Sequence, residues 1–307
     1  MGLRIRTNIA SINAQRRLYT TTGNVQNSMA KLSSGKRINK AADDAAGLAI
    51  SENMRADVRS LSQAKRNAAD GISLVQTAEG SLVETSTMLV RLRELAVQAA
   101  SDTVGPTERT FIDKEYLALK DEIDRIAYST EFNGTRLLVG EADVGDELAN
   151  PEGTFPLEIQ VSKDYYVDAD HISDAPNPVN IIRIDLQELN SFTTEDGLDI
   201  GRAEEGTRVD NKQNAQLSIS KLDNAITQVN EYRAYLGSVQ NRLNSTVTNL
   251  GVNIENIQEA KSRIQDTDFA EETAYYTRNS ILQNAGTSVL ANANQAANVA
   301  MGLVQNL

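Results

Sequence analysis

Between Ile219 and Ile264 the chain keeps a seven-residue rhythm. Alternating steps of three and four from Ile219 land on Leu222, Ile226, Val229, Arg233, Leu236, Gln240, Leu243, Val247, Leu250, Ile254, Ile257, Lys261 and Ile264, of which only Arg233, Gln240 and Lys261 are not aliphatic. An α-helix needs this spacing to keep a narrow apolar stripe facing a partner helix along its whole length. At about 1.5 Å per residue the helix would run to roughly 70 Å, so the stripe requires a partner of similar length. A second stripe runs from Met54 through Val58, Leu61, Lys65, Ala68, Ile72, Val75, Glu79, Leu82 and Ser86 to Leu89. The two stripes lie at opposite ends of the chain, so the fold must bring its N- and C-terminal portions together. Gly105-Pro106 then opens a third stripe at Ile112, Tyr116, Leu119, Ile123 and Ile126, which Asn133-Gly134 is expected to end. The predicted fold is mainly α: an elongated antiparallel helical bundle or coiled coil with a small inserted β-hairpin.

Composition narrows the functions open to such a body. Of 307 residues, 42 are acidic and 30 basic, a net charge of -12 that would repel nucleic-acid phosphates. With no Cys and one His, neither a disulfide frame nor a zinc site is expected, and no metal, cofactor or catalytic group is assigned. No apolar run approaches the ~20 residues of a membrane helix. The start, Met1-Gly2-Leu3-Arg4-Ile5-Arg6, lacks a signal-peptide core, and Arg6 stands where a myristoylation motif needs Ser or Thr. These features leave a cytoplasmic protein or one exported by a dedicated machine.

Both ends read as weak helices. Ile5, Ile9 and Ile12, then Leu18, Val25, Met29 and Leu32, form an intermittent stripe that stops at Gly35. Asp43 and Asp44 follow, placed to cap the next helix at its positive end. The tail repeats every seventh residue at Tyr275, Leu282, Val289, Ala296 and Leu303 among small residues, Asn and Gln. Such a helix buries too little apolar surface by itself to offset its ordering entropy, on the order of 1 to 2 kcal/mol per residue. In the middle, Phe155–Val161 and Ile181–Leu186 alternate as half-buried strands of a hairpin. The loop between them carries Asp164, Asp168, Asp170, His171 and Asp174, but Ile172 and Ser173 break the calcium-loop pattern. The loop reads as a solvated acidic segment.

The stretches Leu32-Ser33-Ser34-Gly35-Lys36-Arg37-Ile38-Asn39 and Ala41-Ala42-Asp43-Asp44-Ala45-Ala46-Gly47-Leu48-Ala49-Ile50-Ser51 resemble the N-terminal signature of bacterial flagellins. So do Asn67–Gly80, Arg93–Gln98 and Glu131–Thr135, and toward the other end Ser262–Ala270 and Ala285–Ala291. The resemblance implies a structural subunit that polymerises into the flagellar filament and catalyses nothing; the alternative is a hook-filament junction protein. It implies export by the flagellar type III apparatus to an extracellular filament. The implied partners are copies of the chain itself, an export chaperone, and cap and hook-associated proteins, without nucleic acid or membrane insertion. The domains it implies are a terminal-helix inner domain at 1–44 and 265–307 and a helical core at 45–140 and 205–264. The hairpin and loops of 141–204 replace a large outer domain. It also places a patch for the Toll-like flagellin receptor of animal hosts at Arg91, Leu95, Gln98 and Glu115, with Leu95 as apolar anchor.

Overall fold

A computed structural model describes residues 7–140, 155–164, 180–187, 189–194, 197–201 and 206–305, with side chains as far as Gln295. Five helices carry the fold: α1 (Ile9–Ser34), α2 (Ala45–Ala99), α3 (Pro106–Ser129), α4 (Lys212–Gln265) and α5 (Phe269–Gln305). Four short strands form two antiparallel pairs, β1 (Glu131–Phe132) with β2 (Thr135–Arg136) and β3 (Leu157–Gln160) with β4 (Ile181–Ile184). The chain divides into two compact units, one of residues 1–58 and 255–307 and one of residues 59–254.

In the unit of residues 59–254, α2 and α4 share one core, but the buried face is turned relative to the stripes of aliphatics. In α4 the fully buried positions are Ala215, Leu222, Val229, Leu236 and Leu243, and the second buried row is Ser218, Ala225 and Val239 at 1% exposure each. Ile219, Ile226 and Gln240 sit half-buried on the flank. In α2 the row Leu61, Ala68, Val75, Leu82, Leu89 alternates with Ala64, Gly71, Ala78, Thr85 and Leu92, while Lys65, Ile72, Glu79 and Ser86 flank them. The second row is therefore built mostly from small residues, which an aliphatic rhythm does not register. Gly71 shows why one of them must be small. A Cβ there would collide with the Ile159 side chain of β3 and stand 3.5 Å from Leu243. Nearby, the Asn67 side-chain amide donates to the Gln160 carbonyl at 3.1 Å, fastening β3 to α2.

α3 does not reach Asn133-Gly134. It ends at Ser129, and these two residues, at φ 51° and 81°, form the two-residue turn between β1 and β2. That turn type needs positive φ at both positions, which Asn-Gly supplies. Arg109 donates to the carbonyls of Ala99 and Ser101 at 2.8 Å each and so satisfies the end of α2. The β3–β4 hairpin pairs Leu157 with Ile184 and Ile159 with Ile182, as the alternation predicts. Asp168, Asp170, His171 and Asp174 of the acidic loop lie outside the described residues.

The segment after β4 is not a surface loop. Leu186, Leu189, Phe192, Leu198, Ile200 and Val209 are at most 2% exposed and join the core of this unit. Irregular backbone this deep needs hydrogen-bond partners, and one polar face of α3 provides them. Asp113 accepts from the Val209 amide at 3.0 Å and from Arg208 at 2.8 Å. The Tyr116 hydroxyl donates to Thr207 Oγ1 at 2.9 Å, and Lys120 Nζ donates to the Thr207 carbonyl at 3.1 Å. Asp124 accepts from both the amide and the hydroxyl of Thr193 at 2.9 and 3.0 Å. These four residues are spaced by three and four, so one helix face grips the whole segment.

Burial of the Lys120 amine, only partly offset by Asp124, Asp121 and Asp113, lowers its pKa to about 8 from 10.5. Its folded value lies below the unfolded one, so between these pH values the unfolded chain holds a proton that the folded chain has released. Stability contributed by this group therefore rises with pH across that window. Chemical denaturation of the parent and of Lys120→Met from pH 8 to 10 should show the parent gaining on the variant, with a slope approaching about 1.4 kcal/mol per pH unit. A pH-independent difference would mean that Lys120 is not depressed.

Candidate assembly surface

In the unit of residues 1–58 and 255–307, α1 and α5 pack antiparallel. The Asn8 amide donates to the Ala293 carbonyl at 2.8 Å, Ser11 Oγ to Asn294 at 2.8 Å, Gln283 to Thr22 at 3.2 Å, and Lys31 lies 3.9 Å from Glu272. The face that α1 turns to its partner runs through Ser11, Ala14, Leu18, Thr21, Val25, Ser28 and Leu32. The matching face of α5 runs through Glu272, Tyr276, Asn279, Gln283, Gly286, Leu290 and Ala293. Both keep the three-four spacing, yet most members are small or polar.

Most of the large apolar side chains are on the other faces. Ile9, Ile12, Tyr19 and Met29 of α1 are 53%, 54%, 85% and 54% exposed, and Ile281, Leu282 and Val289 of α5 exceed half. The seven-residue step at Tyr275, Leu282 and Val289 thus marks a stripe exposed to water, not the seam with α1. Exposed apolar area of this extent marks a surface that meets another protein.

Two linkers hold the pair in place. Gly35 ends α1 in the left-handed conformation at φ 69°. The Arg37 amide then donates to the Gln265 carbonyl at 2.7 Å, the Thr267 amide to Gly35 at 3.0 Å, and the Arg37 guanidinium to Ile264 at 2.7 Å. The α1–α2 and α4–α5 connections are therefore cross-tied, with Ile38 buried at 2% exposure beside them. Of the two proposed capping carboxylates, Asp44 accepts from the Gly47 amide at 2.9 Å, three residues into the start of α2. Asp43 instead accepts from the amides of Asn39 and Lys40 at 3.0 and 2.9 Å, so it stiffens the linker rather than capping α2. Those amides, Lys40 foremost, hold its carboxyl below the usual range.

The proposed receptor patch lies in the other unit and is only partly at the surface. Arg91 pairs with Glu115 at 2.7 Å and Glu94 at 3.1 Å, and the hydrogen bond it donates to Glu115 foremost raises its pKa. Gln98 is exposed. Leu95 is 1% exposed and belongs to the α2 core face, so it is no surface anchor. Sequence reasoning missed Val83, Val90 and Val97, exposed on α2 at 38%, 46% and 49%; their seven-residue spacing was the available signal. Among the described residues no cluster of His, Asp and Glu is placed to hold a metal, and no helix is long and apolar enough to cross a membrane.

A helical body with apolar faces left open at its paired termini is the build of a polymer subunit. Residues 5–143 match the family described as bacterial flagellin N-terminal helical region, and residues 219–302 its C-terminal helical region. Flagellin of Bacillus subtilis (strain 168) is 42% identical over 309 residues, covering 95% of this chain and 97% of the relative. The flagellar filament 33 kDa core protein of Treponema phagedenis is 39% identical over 300 residues, covering 97% and 98%. A solved structure described as a flagellar hook-associated protein of Vibrio parahaemolyticus superposes with a TM-score of 0.54 at 17% identity, covering 73% of this chain and 100% of that one, and shares the fold alone. The chain belongs to the flagellin family, whose members are structural subunits of the extracellular bacterial flagellar filament.

Proposed function

We propose that the α1–α5 pair is the surface through which this flagellin polymerises, and that it lines the inside of the filament while the remaining helices form the wall. What supports the reading is the inverted pattern of the pair, a polar seam inside and large apolar residues outside. On this reading residues 1–44 and 265–307 form the inner domain, 45–140 and 205–264 the body, and 141–204 add the hairpin and its loops. The chain performs no catalysis. It leaves the cell through the flagellar type III apparatus with an export chaperone, and its ends meet cap and hook-associated proteins. A hook-filament junction role would need the same ends to stop growth instead of propagating it.

Purified chain added to filament seeds should give long filaments by electron microscopy. Deleting Ala285–Leu307 should abolish growth while the thermal transition of the body is retained. Seeds that acquire a cap and stop would favour the junction role, and growth without the tail would remove α5 from the assembly surface.

We propose further that Arg91, Gln98 and Glu115 form the polar contact for a Toll-like flagellin receptor of animal hosts. Leu95 supports them from below by holding α2 in the core. In receptor-bearing reporter cells, Arg91→Ala and Gln98→Ala monomers should fold normally and signal less than the parent. Leu95→Ala should lose about 2 to 5 kcal/mol of stability, as a core truncation does. Parental potency in both folded variants would mean that the contact lies elsewhere.

A further inference from the structure

We infer that, in the unassembled chain, one face of the α1–α5 pair is a docking surface for anionic membrane lipid, on which the pair lies without crossing the bilayer. The inference goes beyond the filament reading: it concerns the monomer, and lipid and further copies would compete for the pair.

The face centres on a groove of about 600 Å³ between the two helices. Leu18 and Gly286 floor it, with Leu282 and Val289 on the α5 side and Arg16 and Arg17 on the α1 side. Gly286 keeps the floor low, since a Cβ there would already stand 3.4 Å from Leu18. The α5 side continues past the groove. Tyr275, Arg278, Leu282 and Val289 are spaced by three, four and seven, so they share one helix face, and all four are exposed. Among the described residues Arg16, Arg17 and Arg278 form no ion pair, and Arg16 donates to Asn13 at 3.0 Å. Guanidinium groups, a tyrosine ring and two aliphatic side chains thus line one surface that has no carboxylate.

Charge selects the occupant. Residues 1–42 and 273–307 hold nine basic residues and no Asp or Glu, whereas the rest of the chain carries all 42 carboxylates against 21 basic residues. A second copy of the same face brings like charge and does not complement it. An anionic lipid does. Its phosphate accepts from the guanidinium groups, its acyl chains cover Leu282 and Val289, and tyrosine suits the layer between headgroup and hydrocarbon. The groove has the same order, with guanidinium groups on its rim and an apolar floor. No carboxylate interrupts α1, or α5 after Glu272, so the sign is uniform well beyond the groove. An extended sheet of negative charge reads such uniformity, and a single fitted partner does not require it. Among the described residues no helix is long and apolar enough to cross a membrane, so the pair lies along the surface. The same lipid repels the carboxylate-rich body, which leaves the chain attached by its ends.

Vesicle binding by the monomer tests this. The full chain should sediment with vesicles of phosphatidylcholine mixed with phosphatidylglycerol, stay in solution with phosphatidylcholine alone, and be released by salt. Arg16→Gln, Arg17→Gln and Arg278→Gln combined should lower the partition by about tenfold or more. The corresponding triple Lys variant keeps the charge and should bind nearly as the parent does. Both variants should share the parent's thermal transition, because the three side chains are exposed. No binding to either vesicle, equal binding to both, a Gln variant that binds like the parent, or Gln and Lys variants equally defective would each overturn the inference. Retention on poly-glutamate beads without vesicle binding would also overturn it and give the face to an acidic protein. Seeded growth is measured without lipid, so the filament reading stands or falls separately.

Discussion

Apolar side chains must leave water somewhere, and in the α1–α5 pair the shared seam takes few of the large ones, among them Leu18, Val25, Leu32, Tyr276 and Leu290. Ser11, Ser28 and Asn279 are the buried residues of these two helices among the described side chains, while nine large apolar groups from Ile9 to Val289 are 42% to 85% exposed. Completing their burial would stabilise on the order of 1 kcal/mol each. Summed over the pair, that approaches the ~5 to 15 kcal/mol by which a whole domain is held folded. The pair therefore has little of its own stability and a large reserve that only a partner can release. On the proposed reading, polymerisation and the folding of the termini become one process.

The unit of residues 59–254 follows the opposite rule. Its seam rows on α2 and α4 are buried to 0–7% where Leu, Val and Ala occupy them, and an irregular segment from Leu186 to Val209 completes the core. The price of folding that segment inward is a polar face on α3, with Lys120 and Asp124 inside the protein and their charges balanced against Arg208, Asp113 and backbone groups. A body that closes its own core can be presented intact to an assembling filament while its ends remain unfinished.

Much of this was readable in the residues. The three-four rhythm located α2, α3 and α4, Gly35 marked the end of α1, and alternation located the β3–β4 hairpin. The family signature carried the function. Three things were not readable, each for a physical reason. The phase of the seam was hidden because Ala64, Gly71, Ala78 and Ser218 make close packing by being small, and hydrophobicity does not report size. The burial of Leu186–Val209 was hidden because irregular backbone has no period; its warning was the Asp113, Tyr116, Lys120, Asp124 spacing, which resembles an ordinary solvated face until its partners are known. Leu95 looked like an anchor among polar neighbours because α2 is buried at both Leu95 and Ala96, where the stripe changes phase.

The claim that the body is self-sufficient and the terminal pair is not can be measured by amide hydrogen exchange on the monomer and on the filament. In the monomer, amides of Ser218 to Leu243 should exchange slowly and those of α1 and α5 fast, and in the filament both sets should be slow. Terminal helices as protected in the monomer as α4 would contradict the account, because the pair would then be stable without its copies.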